Sequence, residues 1–115
     1  MDKLSINNWQ PDDRPREKMM AKGPGALSNA ELLAILIGSG SARESAVDLM
    51  RRVMASRGDS LRSLGQMTIG ELMDFSGIGE AKAITLLAAC ELGKRRQAEE
   101  ARQRIDLSSA QSIFE

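Results

Sequence analysis

The sequence predicts an all-α fold, a compact helical domain in which one helix-hairpin-helix-like arrangement occurs in tandem. Three observations carry that prediction. The apolar residues are mostly Leu, Ile, Met and Ala, with two Phe, one Trp and no Tyr, a set that suits packed helices better than sheet. Two helix-start signatures, Ser28-Asn29-Ala30-Glu31 and Thr68-Ile69-Gly70-Glu71, have the form of capping boxes. Each is followed by a short apolar run, a Gly-x-Gly step and a longer amphipathic stretch.

The elements come in this order. "NNWQPDDRPREKMMAKG" is a polar lead and then a helix, with Asp12 or Asp13 as cap, Pro15 in the first turn and Gly23-Pro24-Gly25 as the stop. The first capping box launches "ELLAILI", with Leu32, Leu33, Ile35 and Leu36 as a wide apolar face. Gly38-Ser39-Gly40 breaks that helix. "SARESAVDLMRRVMASRG" is amphipathic, with Val47, Met50 and Met54 near one stripe and Ala46, Leu49 and Val53 beside it; Gly58 ends it. "DSLRSLGQM" has room for one or two turns. The second capping box starts "ELMDF", Gly77-Ile78-Gly79 interrupts, and "EAKAITLLAACELGKRR" resumes with Ile84, Leu87, Ala88 and Leu92 at helical spacing. Residues 94 to 104 are strongly charged, as a solvated helix end or linker is. "IDLSSAQSIFE" presents Leu107, Ile113 and Phe114 with nothing after them to pack on. These divisions give a lead and first helix at 1–25, a tandem helical domain at 26–97, and a charged linker with the start of a further domain at 98–115.

The repeat is visible in the numbering. Ser28 and Thr68 stand 40 residues apart, as do Glu31 and Glu71, and Leu32 and Leu72. At an offset of 39, Gly38-Ser39-Gly40 falls over Gly77-Ile78-Gly79 and Arg43 over Lys82. Two copies are too few for a solenoid and suit a pair packed about a pseudo-two-fold axis.

Composition bounds the function. At 115 residues, 42% hydrophobic and 28% charged, the chain has one domain's worth of core. Sixteen basic and sixteen acidic residues give no net charge, so any nucleic-acid contact rests on a local patch. One cysteine and no histidine exclude a disulfide framework, a zinc site and a Ser-His-Asp triad, and fit a reducing cytoplasm. Cys90 reads as a small core residue and Trp9 as an anchor against the helices. "MDKLSINNWQ" lacks the order of a signal peptide, and "LLAILIG" is far shorter than the roughly 20 residues that cross a bilayer. The expectation is a protein with no membrane contact, no cofactor, no metal and no catalytic residues.

The second hairpin carries the chemistry. Gly77 and Gly79 leave the backbone open to an approaching group. The amides after Gly79 open the next helix and have no carbonyl partner within it, so the positive end of the helix dipole forms an anion site. Lys82, in the first turn, reaches the same anion, and Ile78 points inward and pins the hairpin. This is the physics of the helix-hairpin-helix motif, which holds a phosphate and reads no base. The candidate nucleic-acid-binding residues are Gly77, Ile78, Gly79, Glu80, Ala81 and Lys82, extended by Lys94, Arg95 and Arg96. Gly38, Ser39, Gly40 and Arg43 form a second, degenerate hairpin, since Ser39 replaces the buried Ile. Arg14, Arg16 and Lys18 alternate with Asp12, Asp13 and Glu17 and make no basic patch.

"DRPREKMMAKGPGALSNAELLAILIGSG" followed by "GIGEAKAITLLAACELGKRR" resembles the amino-terminal region of the bacterial RadC proteins, named for DNA repair, over residues 4 to 105. The resemblance implies a helical domain with a helix-hairpin-helix element, matched here by Gly77, Ile78, Gly79 and Lys82. It also implies a following JAMM-type domain of the JAB/MPN fold with His-x-His and Asp zinc ligands, beginning near "SAQSIFE". Without histidine this chain carries none of those ligands. The expected function is a non-catalytic, sequence-independent DNA-binding module, of low affinity alone, that positions that metallohydrolase domain. The alternative is a protein-interaction or structural domain in which the hairpin serves packing; zero net charge and Glu80 favour it.

Overall fold

The computed structural model describes the backbone of residues 14–114 and the side chains of residues 14–107. Within that span six α-helices succeed one another: α1 Arg14–Lys22, α2 Asn29–Ile37, α3 Ala46–Ala55, α4 Leu61–Gly65, α5 Ile69–Met73 and α6 Glu80–Phe114. A 3-10 turn, Pro24–Ala26, joins α1 to α2, and no strand occurs among the described residues. The fold is all-helical, as the composition predicts. The expected caps Asp12 and Asp13 and the anchor Trp9 lie outside the described residues.

Both capping boxes form. Ser28 Oγ accepts the Glu31 amide at 3.2 Å while the Ser28 amide donates to Glu31 Oε1 at 2.9 Å. Thr68 Oγ1 and Glu71 repeat the pair at 3.0 and 2.8 Å. Each glutamate is also clamped by a cation from upstream, Lys18 in α1 and Arg57 in the turn after α3. Lys18 Nζ reaches Glu31 from 13 residues upstream at 3.1 Å, and an Arg57 guanidinium nitrogen reaches Glu71 from 14 residues upstream at 2.9 Å. Lys18 and Arg57 are themselves 39 residues apart, the same offset as the two glycine steps. Nothing in the sequence signals the clamp, because neither cation shares an element with its glutamate.

Among the described residues, fifteen apolar side chains form one core. They are Ala30, Leu33, Ala34 and Ile37 of α2; Ala46, Leu49, Met50, Val53 and Met54 of α3; Leu64 and Met67; Leu72 and Ile78; and Ala83 and Leu86 of α6. The buried stripe of α2 is rotated from the expected one. Ala30, Leu33, Ala34 and Ile37 face inward at i, i+3, i+4 and i+7, while Leu36 is exposed. The two alanines let α3 come close, which a stripe of leucines would not. The same rotation recurs in α6. Ala83 and Leu86 are buried with Leu87 and Cys90 half-buried against them, whereas Ile84, Ala88 and Leu92 face outward. In α3 the expected stripe is the buried one, with Val47 at its margin.

Helix α6 has 35 residues, about 52 Å at 1.5 Å per residue. Its first eleven residues pack on the core; from Glu91 to Leu107 the side chains are exposed, save a half-buried Ala101. The expected linker is thus helical, and the projecting half of α6 explains the longest molecular extent of 68 Å.

Candidate functional site

The second hairpin runs from the end of α5 to the start of α6, residues 74–79, and its geometry comes from packing. The Phe75 carbonyl accepts the Ile78 amide at 3.1 Å, and the Arg52 guanidinium lies 5.3 Å from the Phe75 ring centroid. Ile78 is 4% exposed and belongs to the core, so it pins the turn as its apolar character requires. Gly77 is dictated twice. Its φ is +100°, and an added Cβ would lie 2.9 Å from Leu49 Cδ2 and 3.1 Å from Ser41 Cβ.

Gly79 is different. Its φ lies outside the left-handed region, and nothing comes within 4 Å of where its Cβ would be. It is the N-cap of α6, since its carbonyl accepts the Ala83 amide at 3.0 Å. The helices α2, α3, α4 and α5 are capped by the hydroxyls of Ser28, Ser45, Ser60 and Thr68, each accepting the third amide of its helix. Helix α6 begins with no side chain at that position. Its first-turn residues Glu80 and Ala81 are exposed, so the positive end of the longest helix faces solvent.

Lys82 is half-buried and turned back toward the hairpins. Its Nζ donates to Ser39 O at 2.7 Å, Gly77 O at 3.1 Å and Ser39 Oγ at 3.2 Å, with Gly40 O at 3.4 Å. The two glycine hairpins, 39 residues apart in sequence, therefore meet at one ammonium. The repeat pairs Arg43 with Lys82 as equivalents and carries no sign of this contact, which depends on how the units dock.

The first hairpin departs from the second. Gly38 caps α2 with φ +78°, and five more residues separate Gly40 from the start of α3. Ser41 donates its amide to Glu44 O at 3.0 Å, and Ser45 rather than a glycine caps α3. A Cβ on Gly40 would overlap the backbone of Glu44, Ser45 and Ala46, so this glycine is fixed by close packing of the loop on itself. Arg43 is exposed at the rim.

The basic cluster at 94–96 is partly neutralised along the helix. Arg95 pairs with Glu91 at 2.9 Å and Arg96 with Glu100 at 3.0 Å. Lys94, Arg95 and Arg96 are all exposed. Arg96 lies 14 residues beyond Lys82, nearly four full turns, and so on the same face about 21 Å further along. Lys94 instead continues the stripe of Leu87 and Cys90, and α6 does not bring it to the hairpin.

Two carboxyls are perturbed. The Ser28 amide, and then Lys18, hold Glu31 below its usual carboxylate value; the Thr68 amide and Arg57 do the same for Glu71. Burial pushes the Cys90 thiol up, so it stays protonated at neutral pH. Among the described residues no group of three or more His, Cys, Asp or Glu is placed to hold a metal, and no helix is long and apolar enough to cross a membrane.

These features define a small helical module whose two capped units meet at paired glycine hairpins. The chain belongs to the UPF0758 family: residues 6–84 match the family model described as UPF0758 N-terminal. It is 51% identical to a UPF0758 protein of Flavobacterium johnsoniae over 111 residues, covering 96% of this chain and 48% of that protein. A UPF0758 protein of Porphyromonas gingivalis is 40% identical over 112 residues, and one of Alkaliphilus oremlandii 46% over 92, covering 96% and 80% of this chain and 49% and 40% of those proteins. The chain spans about half the length of the curated relatives it matches. No solved structure matches it.

Proposed function

We propose that this chain is a non-catalytic cytoplasmic module that grips the DNA phosphate backbone without reading base sequence. It positions the remainder of a protein about twice its length. One observation carries the reading. Gly79 is the hairpin glycine that the chain's own packing does not demand, and it leaves the N-terminus of α6 bare where the neighbouring helices carry a hydroxyl. A phosphate oxygen at that position takes the amides of Glu80, Ala81 and Lys82, with the helix dipole favouring its charge. The Lys82 ammonium adds its field, and Arg43 and Arg96 lie outward as peripheral contacts. The likeness to the RadC proteins supports a DNA target and a JAMM-type domain as the part being positioned.

With so few contacts the affinity is low and falls with salt. Each phosphate neutralised contributes about −0.9 to the slope of log K against log salt. Titrating the protein into labelled duplex, single-stranded and branched DNA, with anisotropy at rising salt, tests the reading. Weak, sequence-independent, salt-sensitive binding is expected; no binding at low salt overturns it. The engagement of Lys82 by the chain's own oxygens favours a second reading, a hairpin used for packing on a protein partner, and that negative result would select it.

A further inference from the structure

We propose that Lys82 is a positioning residue, an internal cation that locks the two glycine hairpins into one rigid edge, and not a ligand of the phosphate. An ammonium has three N–H donors. Ser39 O, Gly77 O and Ser39 Oγ use them within 3.2 Å, and Gly40 O at 3.4 Å shares one. No donor is left for an external anion unless one of these bonds breaks. Three of the four acceptors are backbone carbonyls from two separate hairpins, with their negative ends converging. Without a cation between them they repel, and the hairpins part. The docking is tight elsewhere too, because Ser41 and Leu49 of the first unit crowd the backbone of Gly77. Lys82 sits 43 residues from Ser39 and five from Gly77, so this one side chain ties the first unit to the turn that presents Gly79.

An arginine does not substitute. Its donors lie in a flat fork, while the four oxygens surround a point. The deletion is chemically reversible, however, because propylammonium replaces the atoms that Lys82→Ala removes.

The proposal rests on the phosphate reading only for its meaning in DNA binding, and its first test does not need DNA. Lys82→Ala is expected to lower the melting temperature. Propylammonium chloride should restore most of that loss, whereas tetramethylammonium chloride at the same ionic strength, which has no N–H to donate, should restore none. Lys82→Arg should resemble Lys82→Ala. Equal behaviour in the two salts, or a Lys82→Arg variant as stable as the parent, overturns the proposal. If Lys82→Ala does not fold, the unsubstituted protein decides. Nitrogen-15 NMR should show a Lys82 ammonium resonance protected from solvent exchange and unmoved by saturating DNA. Fast exchange would overturn the lock, and a shift caused by DNA would make Lys82 a phosphate ligand. Rescue without DNA binding would retain the lock and remove the phosphate reading; DNA binding without rescue would do the reverse.

Discussion

Replacing Gly79 by serine separates a capping role from a phosphate-binding role, because the two predict opposite signs. Serine is the better N-cap. By analogy with Ser28, Ser45 and Thr68, whose hydroxyls accept their N3 amides at 3.2, 3.1 and 3.0 Å, the new hydroxyl would accept the Lys82 amide. The Cβ has open space around it, so the substitution meets no clash. Glycine is only a few tenths of a kcal/mol poorer than serine at this position. The variant should therefore melt about 1–2 °C higher. Phosphate binding should move the other way. The hydroxyl takes one of the amides the phosphate needs and stands in its path. Losing one hydrogen bond to a charged group costs about 1.5–3 kcal/mol, a ten- to hundredfold loss of affinity. Paired thermal melts and anisotropy titrations at fixed salt read both quantities. A melting temperature that rises with DNA affinity unchanged would refute the reasoning and leave Gly79 as an ordinary glycine cap.

Three further outcomes are expected from the geometry. Gly77→Ala forces a side chain into φ +100° and against Leu49, so it should cost about 1–3 kcal/mol in a chemical denaturation, and a neutral result would contradict the hairpin packing. The capping amides and cations hold Glu31 and Glu71 below their usual carboxylate value when folded, so the unfolded chain takes up their protons first. Their stabilisation is complete above the unfolded value and is lost as pH falls through the folded ones. The Glu31→Gln, Glu71→Gln double variant should show a flatter fall of melting temperature below about pH 4.5, and parallel curves would exclude the capping boxes as the cause. Hydrogen exchange should divide α6: amides near Leu86 and Leu87 protected to the global limit, those beyond Ala98 exchanging through local fraying. Equal protection along the helix would mean that another surface covers its projecting half.

How much of this was legible depends on whether a feature is local. The helix starts were, because a capping box joins residues three apart; both predicted boxes form with both of their hydrogen bonds. Ile78 was also legible, being the one apolar residue between two glycines. The buried faces of α2 and α6 were not. In "LLAILI" nearly every position is apolar, so periodicity cannot choose a stripe, and the choice falls to the neighbour that needs the small side chains of Ala30 and Ala34. In α6 the large residues Ile84 and Leu92 suggested a face that the core does not reach, and Ala83 marks the real one. The ligands of Lys82 were the least legible. Gly38-Ser39-Gly40 reads as a hairpin, but backbone carbonyls carry no sequence signal, and the contact exists only once the two units dock.

The two units share the devices that start their first helices and diverge after that first turn: α2 runs straight into Gly38, whereas α5 ends at Met73 and a turn precedes Gly77. Both have the hydroxyl cap, the returning glutamate and the clamping cation, all within a 39- or 40-residue offset. In the second unit the next helix starts at once, from a bare N-cap, and its dipole end faces solvent. In the first, five more residues fold the loop onto itself, Ser45 satisfies the helix, and the carbonyls of Ser39 and Gly40 turn toward Lys82. A free helix N-terminus attracts an anion, whereas converging carbonyls attract a cation, so the two hairpins have opposite local polarity. Placed side by side they are complementary: the first supplies three of the four oxygens, the second the lysine and the Gly77 carbonyl. A duplicated anion site would need both helix ends bare. Of the two, only the second unit's longer helix starts without a hydroxyl cap, since Ser45 closes the first.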